Sequence, residues 1–429
     1  MASSKNTITG GVKLLLVPSA CIFFLDYIYR VYDEFDWGHP FTKLLCFGAM
    51  AAMVVGARSS GFIAWISSAF AAGHHRRTLQ YLGLAMVLLL AVFMLHGYPA
   101  RYLPQILSPP RVDIGYTTVH AAELLFRELQ NPYASQTINI RPELPPEFRG
   151  FHYGPLMIIA YFPALIFPVW GFKLMSAIFT VVSSGLLCLM VRKKGNSMVE
   201  TIESALFALT LFFLSNRFWY ENFTQGANDI FPVMLILVSL LYTKREQFLL
   251  AGLFAGLSFS AKFSPALFLF VFFIRRDYRP KFFYGWVWGV LPMLAFFLWN
   301  PAALLNNVFL CRLTLKFDST SLYSITPERL HYLFSLAQLL AVIFAVARNF
   351  KKGLIFDSLV AEFILLLIFI EVTFKEIHGN HFIWFMPLMA LHLSRCLRGA
   401  RHEGHDRSIC LQWSGFSAPT VSVSPENHP

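Results

Sequence analysis

Arg111-Val-Asp-Ile-Gly-Tyr-Thr-Thr-Val-His-Ala-Ala-Glu-Leu-Leu-Phe-Arg-Glu-Leu-Gln-Asn-Pro-Tyr133 is the stretch that decides how this chain folds. It is polar and rich in carboxylates, yet it stands between long apolar runs. One run ends near Leu95, and the chain becomes apolar again through Phe151-His-Tyr-Gly-Pro-Leu156. Within it, Val119, Leu124, Leu125 and Leu129 are interspersed with charges, so residues 116–130 read as an amphipathic helix lying on a membrane interface. Segment 98–153 is therefore a large polar loop beside an apolar body, whereas most other connections are short.

Working outward, the composition settles the class. Of 429 residues, 56% are hydrophobic and 14% charged, with a mean hydropathy of +0.55. Apolar residues fall in runs approaching the roughly 20 that a helix needs to cross a hydrocarbon core. Helices satisfy their own backbone groups in lipid, so the chain reads as an all-α, polytopic membrane protein.

The formal charge is +11, but position explains it without a nucleic-acid partner. His74-His75-Arg76-Arg77, Arg192-Lys193-Lys194, Lys244-Arg245, Arg275-Arg276 and Lys351-Lys352 all close apolar runs, the pattern of cytoplasmic loops. The six cysteines show no CxxC or paired spacing, so neither a disulfide framework nor a metal site is expected. Asp26, Tyr27 and Arg30 follow the first apolar run where a cleavage site would need small residues, so that run reads as a retained helix.

The runs predict helices near 11–31, 41–57, 79–97, 173–191, 202–217, 229–243, 247–261, 264–274, 282–300, 331–347, 356–373 and 379–395, about twelve spans. Residues 59–72 are short and rich in Ser and Gly, and read as interfacial. The run 155–169 carries Pro155, Pro163 and Pro168, which disfavour a straight helix. If it only dips into the outer leaflet, the later basic clusters all fall on the cytoplasmic side. This gives three regions: 1–78 with two N-terminal helices, 79–396 as the main membrane domain, and 397–429 as a disordered cytoplasmic tail.

Polar residues gather at four places on the expected outer side. The first is Asp113 with Tyr116, His120 and Glu123, where Asp113 reads either as a functional carboxylate or as a helix cap. The second pairs Asn131-Pro-Tyr133 with Tyr153-Gly-Pro-Leu156, and interfacial anchoring alone would explain its aromatics. The third, Gln225-Gly-Ala-Asn228 followed by Asp229, opens a helix whose free N–H groups suit an anion, or is a polar loop with Asn228 or Asp229 as N-cap. The fourth is Lys262 in the break between 247–261 and 264–274. An ammonium at that depth is functional by default, with snorkelling as the alternative. His378 and His381 open the last helix at the same level; no carboxylate can be placed beside them by spacing, so a metal is not expected.

These pieces, in this order, resemble the polyprenol-phosphate-mannose-dependent mannosyltransferases. That family's outer loop reads roughly D-x-x-x-Y, then N-P-Y, then Y-P-P-L. Gln225-Gly-Ala-Asn228 is similar to its G-Q-x-N. Ala251-Gly-Leu-Phe-Ala-Gly256, continuing to Lys262 and Pro265, resembles A-G-x-x-x-G-x-A-x-x-x-K-x-x-P, and His378-Gly-Asn-His381-Phe-Ile-Trp384-Phe-Met-Pro387 resembles H-H-x-x-W-x-x-P. Gly154 replaces the first proline of Y-P-P-L, and Gln and Gly are reversed in the third element. The similarity covers about 79–396, and extends remotely to the dolichyl-phosphate-mannose mannosyltransferases of the endoplasmic reticulum.

The resemblance implies a C-type glycosyltransferase fold and transfer of a hexose, mannose in that family, from a polyprenyl-phosphate sugar. The acceptor would be a lipid-linked or cell-envelope glycan at the outer face of a bacterial plasma membrane, or of the reticulum membrane in a eukaryote. It implies Asp113 as the base, Lys262, Gln225 and Asn228 at the donor phosphate, and Tyr116, Tyr133, Tyr153, His378 and His381 against substrate. The expected enzyme is a monomer whose partners are the lipid donor, the glycan acceptor and membrane lipids, with no cofactor. A transporter or flippase of lipid-linked intermediates, or a ligase of whole glycans, remains the alternative.

Overall fold

The computed structural model describes residues 48, 50–56, 102, 104–138, 145–167, 169–192, 198–213, 215–274, 277–311, 322–351, 355–374 and 381–402. The helices expected at 11–31 and 79–97, most of that at 41–57, the interfacial run 59–72, His378 and the tail from 403 onward lie outside these residues. Among the described residues the chain is helical and contains no strand.

The polar loop forms helix α1 (Asp113–Phe126). It starts three residues earlier and ends four earlier than the apolar spacing predicts. The chain leaves the helix because Leu129 takes a positive φ of 55°. Residues 155–169 form a six-residue helix, α2 (Pro155–Ala160), and a 3-10 turn, Phe162–Leu165. At 1.5 Å per residue neither can cross about 30 Å of hydrocarbon, and the prolines account for both interruptions.

Next come α3 (Gly171–Val191), α4 (Met198–Phe213), α5 (Ile230–Lys244), α6 (Phe248–Ala261) and α7 (Phe263–Phe270). They are followed by α8 (Arg279–Trp299), α9 (His331–Lys351), α10 (Phe356–Val372) and α11 (Phe382–His402). Among the described residues, three stretches are long and apolar enough to cross a membrane: Gly171–Val191, Arg279–Trp299 and Glu328–Phe350. These correspond to the runs at 173–191, 282–300 and 331–347; the other expected spans are shorter helices or lie outside the described residues. Helices α5 and α6, at 15 and 14 residues, rise only about 21–23 Å, because both stop at a polar cluster inside the bundle.

Side-chain contacts show that α3 to α11 alternate in direction. At one end, Lys244 of α5 donates to the carbonyls of Met190 (2.8 Å) and Arg192 at the end of α3. Arg395 of α11 donates to the same Met190 carbonyl at 2.8 Å and pairs with Asp357 at the start of α10. Cations at a helix C-terminus offset its unsatisfied carbonyls and dipole. At the opposite ends, Lys173 of α3 reaches Gln105 and Ser108, Asn228 before α5 reaches Thr118 of α1, and Glu371 of α10 meets His381 before α11, so 104–138 and 145–171 stay at one end of the bundle and Arg192, Lys244 and Arg395 at the other.

The closest helix pair is α6 against α8. Each carries a small-x-x-x-small pair, Gly252/Gly256 and Gly285/Gly289. A Cβ at Gly252 would lie 1.9 Å from the Phe282 carbonyl oxygen, and one at Gly256 would lie 2.3 Å from that of Trp286. The backbones therefore touch, the packing that small residues permit between helices in lipid. Ser260 Oγ donates across the seam to the Gly289 carbonyl at 2.9 Å. This contact fixes the end of α6, where Lys262 emerges.

Candidate active site

Lys262 leaves α6 in extended geometry (φ −152°, ψ 114°), and Ser264 is extended as well (φ −94°, ψ 136°). The proline at 265 explains Ser264, because its ring disfavours helical geometry in the preceding residue. The opened backbone is taken up by the loop before α2: Gly154 N–H donates to the Ala261 carbonyl at 2.9 Å. Gly154 belongs there for want of space, since a Cβ on it would sit 2.0 Å from the Ser260 carbonyl oxygen. The Tyr153-Gly-Pro motif is thus seated on the break that carries the lysine.

The Lys262 ammonium is buried and donates to Asp229 Oδ1 at 2.5 Å. Its Nζ lies 5.2 Å from the centre of the Tyr153 ring and 5.3 Å from that of Trp384, within cation–π range. Trp384 Nε1 donates to the same Asp229 oxygen at 2.6 Å. The Trp384 ring stacks on His381 with centroids 4.2 Å apart, and His381 Nδ1 meets Glu371 Oε2 at 2.7 Å. Tyr153, Lys262, Asp229, Trp384, His381 and Glu371 therefore form one buried network drawn from five parts of the chain. Lys262 does not snorkel; a carboxylate at its own depth satisfies it.

Asp229 occupies the N-cap position of α5, but its side chain makes no capping hydrogen bond and turns into the network. One residue earlier, Asn228 is fully buried and donates from Nδ2 to Thr118 Oγ1 of α1 at 3.1 Å. Its Oδ1 has no hydrogen-bond partner among the described residues. Gln225 closes a π-helical turn, Tyr220–Gln225. Its carbonyl accepts from the N–H groups of Arg111 (2.8 Å) and Val112 (3.1 Å), and its Nε2 donates to the Tyr220 hydroxyl.

Gly226 then takes φ +84°, a left-handed conformation that glycine adopts freely. A Cβ on Gly115 would lie 2.8 Å from the Gly226 carbonyl oxygen. The glycines of Asp-Ile-Gly-Tyr and Gln-Gly-Ala-Asn are thus where α1 touches the turn. Lys173, fully buried, braces the same region by donating to the carbonyls of Gln105 (2.9 Å) and Thr224 (3.2 Å) and to Ser108 Oγ (2.9 Å).

Asp113 stands in the first turn of α1, after Val112 at the N-cap. Its carboxylate is exposed, and Oδ1 accepts from the Ile114 N–H at 2.8 Å. Negative charge is favourable there by the helix dipole. Tyr116 is exposed on the same helix. Tyr133 is buried and donates its hydroxyl to the Tyr153 carbonyl at 2.8 Å. Burial pushes its phenol well above the usual range, so it serves as a neutral donor. Asn307 secures that loop by donating to the Tyr133 carbonyl (2.9 Å) and accepting from Gly150 N–H (2.7 Å).

The structure thus joins Lys262, Tyr153 and His381, sets Asn228, Gln225 and Tyr133 beside them as supports, and places Asp113 and Tyr116 on the neighbouring helix. Asp229, Glu371, Trp384 and Lys173 are the members that residue-by-residue reading did not assign. Glu371 was detectable as an acid inside an apolar run; a buried lysine requires a counter-charge, but which carboxylate supplies it depends on the packing of α5 against α6. No group of three or more His, Cys, Asp or Glu side chains among the described residues could hold a metal ion.

Comparison with known families reaches the segment that carries half of this network, namely Tyr153, Asp229 and Lys262. Residues 151–315 match the model of Glycosyltransferase family 87. No curated protein and no solved structure matches the chain. The matched segment contains Tyr153, the Gln225–Asp229 turn, Lys262 and Asn307, and leaves α1 and α11 outside. The similarity indicates a glycosyltransferase, and the apolar helical body indicates a membrane protein, in line with the class that the motifs implied.

Proposed function

We propose that this glycosyltransferase moves a hexose, mannose by the family resemblance, from a polyprenyl-phosphate sugar to a lipid-linked or cell-envelope glycan at the outer membrane face. The observation that carries the reading is the convergence of four motifs, separated by up to about 270 residues, at one end of the helical bundle. The exposed carboxylate of Asp113 takes the proton of the acceptor hydroxyl, a role that requires an acceptor oxygen within about 3 Å. That oxygen attacks the anomeric carbon, the bond from that carbon to the phosphate oxygen breaks with its electron pair, and polyprenyl phosphate leaves. One displacement inverts the anomeric centre.

In this reading Lys262 serves the donor phosphate, Asp229 holds the ammonium against the Tyr153 and Trp384 rings, and Gln225 and Asn228 line the phosphate end. His381 stacks on Trp384 and orients it, Tyr116 and Tyr153 border the sugars, and Tyr133, buried with its hydroxyl on the Tyr153 carbonyl, holds Tyr153 in place. The test is mass analysis of lipid-linked glycans from cells with and without the protein. The expected change is a species one hexose shorter in its absence. An unchanged glycan pool together with substrate uptake into vesicles would replace this reading with transport, and loss of a whole glycan block would replace it with a ligase.

A further inference from the structure

Helix α1 has two faces of different character. Gly115, Thr118, Ala121 and Ala122 are buried, with Gly115 and Thr118 against the 225–228 turn. The other face opens onto a cavity of about 370 Å³ lined by Tyr116, Thr117, Val119, His120, Glu123 and Ile138. That volume falls at the lower end of small-molecule pockets, about 300–1,000 Å³. Asp113 lies on the same side, since positions 113, 116, 117 and 120 recur at helical spacing. It is separated from His120 by seven residues, about 10 Å along the axis.

We propose that this cavity is a sugar subsite, which takes a neutral hexose unit of the acceptor and presents its hydroxyl to Asp113. The inference rests on the transfer reaction proposed above and adds where, and by what chemistry, the acceptor is held. A pyranose offers an apolar C–H face and a rim of hydroxyls that both donate and accept. The Tyr116 ring, 53% exposed, supplies a flat apolar surface with a polar tip. The imidazole of His120 turns Nε2 to Thr137 Oγ1 at 2.9 Å and Nδ1 towards Glu123 Oε2 at 3.6 Å, and so steadies the Glu123 carboxylate on the cavity wall as an acceptor for sugar hydroxyls.

The charge balance selects against a phosphate. Among the described residues, no lysine or arginine lines the cavity. The nearest guanidinium along the helix, Arg127, is committed to Glu123 Oε1 at 3.4 Å and to the Leu165 carbonyl at 2.9 Å. With Glu123 balanced by Arg127, the cavity offers no free cation among the described residues to hold a phosphate, whereas the Lys262 end carries an ammonium. Donor and acceptor thereby receive separate addresses, one beside the Lys262–Asp229 pair and one without a cation among the described residues, on either side of the Asn228–Thr118 contact.

The experiment uses the full-length detergent-purified protein with methyl α-mannoside and methyl α-glucoside as probes, read by saturation-transfer NMR. Wild type is expected to saturate the C–H protons of at least one hexoside, and a tenfold excess of inorganic phosphate should not displace it. Tyr116→Ala should lose at least about 80% of the signal, while Tyr116→Phe, which keeps the ring, should retain it; equal melting temperatures exclude misfolding. Absence of signal in wild type, full signal in Tyr116→Ala, or displacement by phosphate would each overturn the proposal. The readout does not require turnover. Hexoside binding with an unchanged cellular glycan pool would keep the subsite and discard the transfer reaction, whereas a changed pool without hexoside binding would do the reverse.

Discussion

Asp113 and Asp229 are both carboxylates at helix starts, yet their surroundings prescribe different work. Asp113 is exposed and touches its own helix through Ile114 N–H, so Asp113→Asn should leave the melting temperature within a degree or two. As the proposed base, its loss should lower transfer about 10²–10⁴-fold; transfer within a few-fold of wild type would return it to a capping role. Asp229 is buried against Lys262, and removing one partner of such a pair typically costs about 3–5 kcal/mol. Asp229→Asn should therefore lower thermal stability markedly, while Asp229→Asn with Lys262→Met, which removes both charges of the pair and keeps an acceptor for Trp384, should recover most of it. If the lysine serves the donor phosphate, the stable double variant transfers nothing; a double variant with wild-type rates would confine the pair to structure.

Among the elements, the α6–α8 seam is the part of the fold that least tolerates added volume. Overpacking a well-packed core costs about 1–3 kcal/mol, and here the obstructing atoms are backbone carbonyls, which cannot rotate aside. Gly256→Ala and Gly289→Ala should each destabilise by at least that amount, whereas Gly185→Ala, where nothing lies within 4 Å of the added carbon, should be neutral or slightly stabilising through helix propensity. Equal melting temperatures for all three would refute the contact. The seam also shows what could be read ahead of the structure. The starts of α5 and α6 and the break before Pro265 were legible from apolar runs and proline chemistry, because those signals are local. The Gly285–Gly289 partner, the Asp229 counter-ion and the seating of Gly154 on Ser260 were not, because each depends on which helix lies alongside. Gly154, a departure from the family pattern in sequence, is explained only by a carbonyl oxygen 2.0 Å from where its Cβ would be.

For the molecule as a whole, alternation of α3 to α11 separates a polar end from a cationic end, and the sequence carried that division in its basic clusters. It rests on 155–165 turning back rather than crossing, which the two short helical turns and their prolines make physically necessary. The consequence is a definite sidedness that follows from contacts rather than from charge counting. Ala134, in the outer loop, and Glu328, just before α9, lie at the end that holds Lys262, while Gln247, between α5 and α6, lies at the end that holds Lys244 and Arg395; all three are exposed. Cysteines placed singly at these positions in a background lacking the native ones should divide two against one. Ala134→Cys and Glu328→Cys should react with an impermeant maleimide in intact cells, and Gln247→Cys only after the membrane is opened. If Gln247→Cys instead reacts from outside together with Ala134→Cys, the alternation fails, and with it the placement of Asp113 and Lys262 on one side of the membrane that a single displacement between lipid donor and glycan acceptor demands.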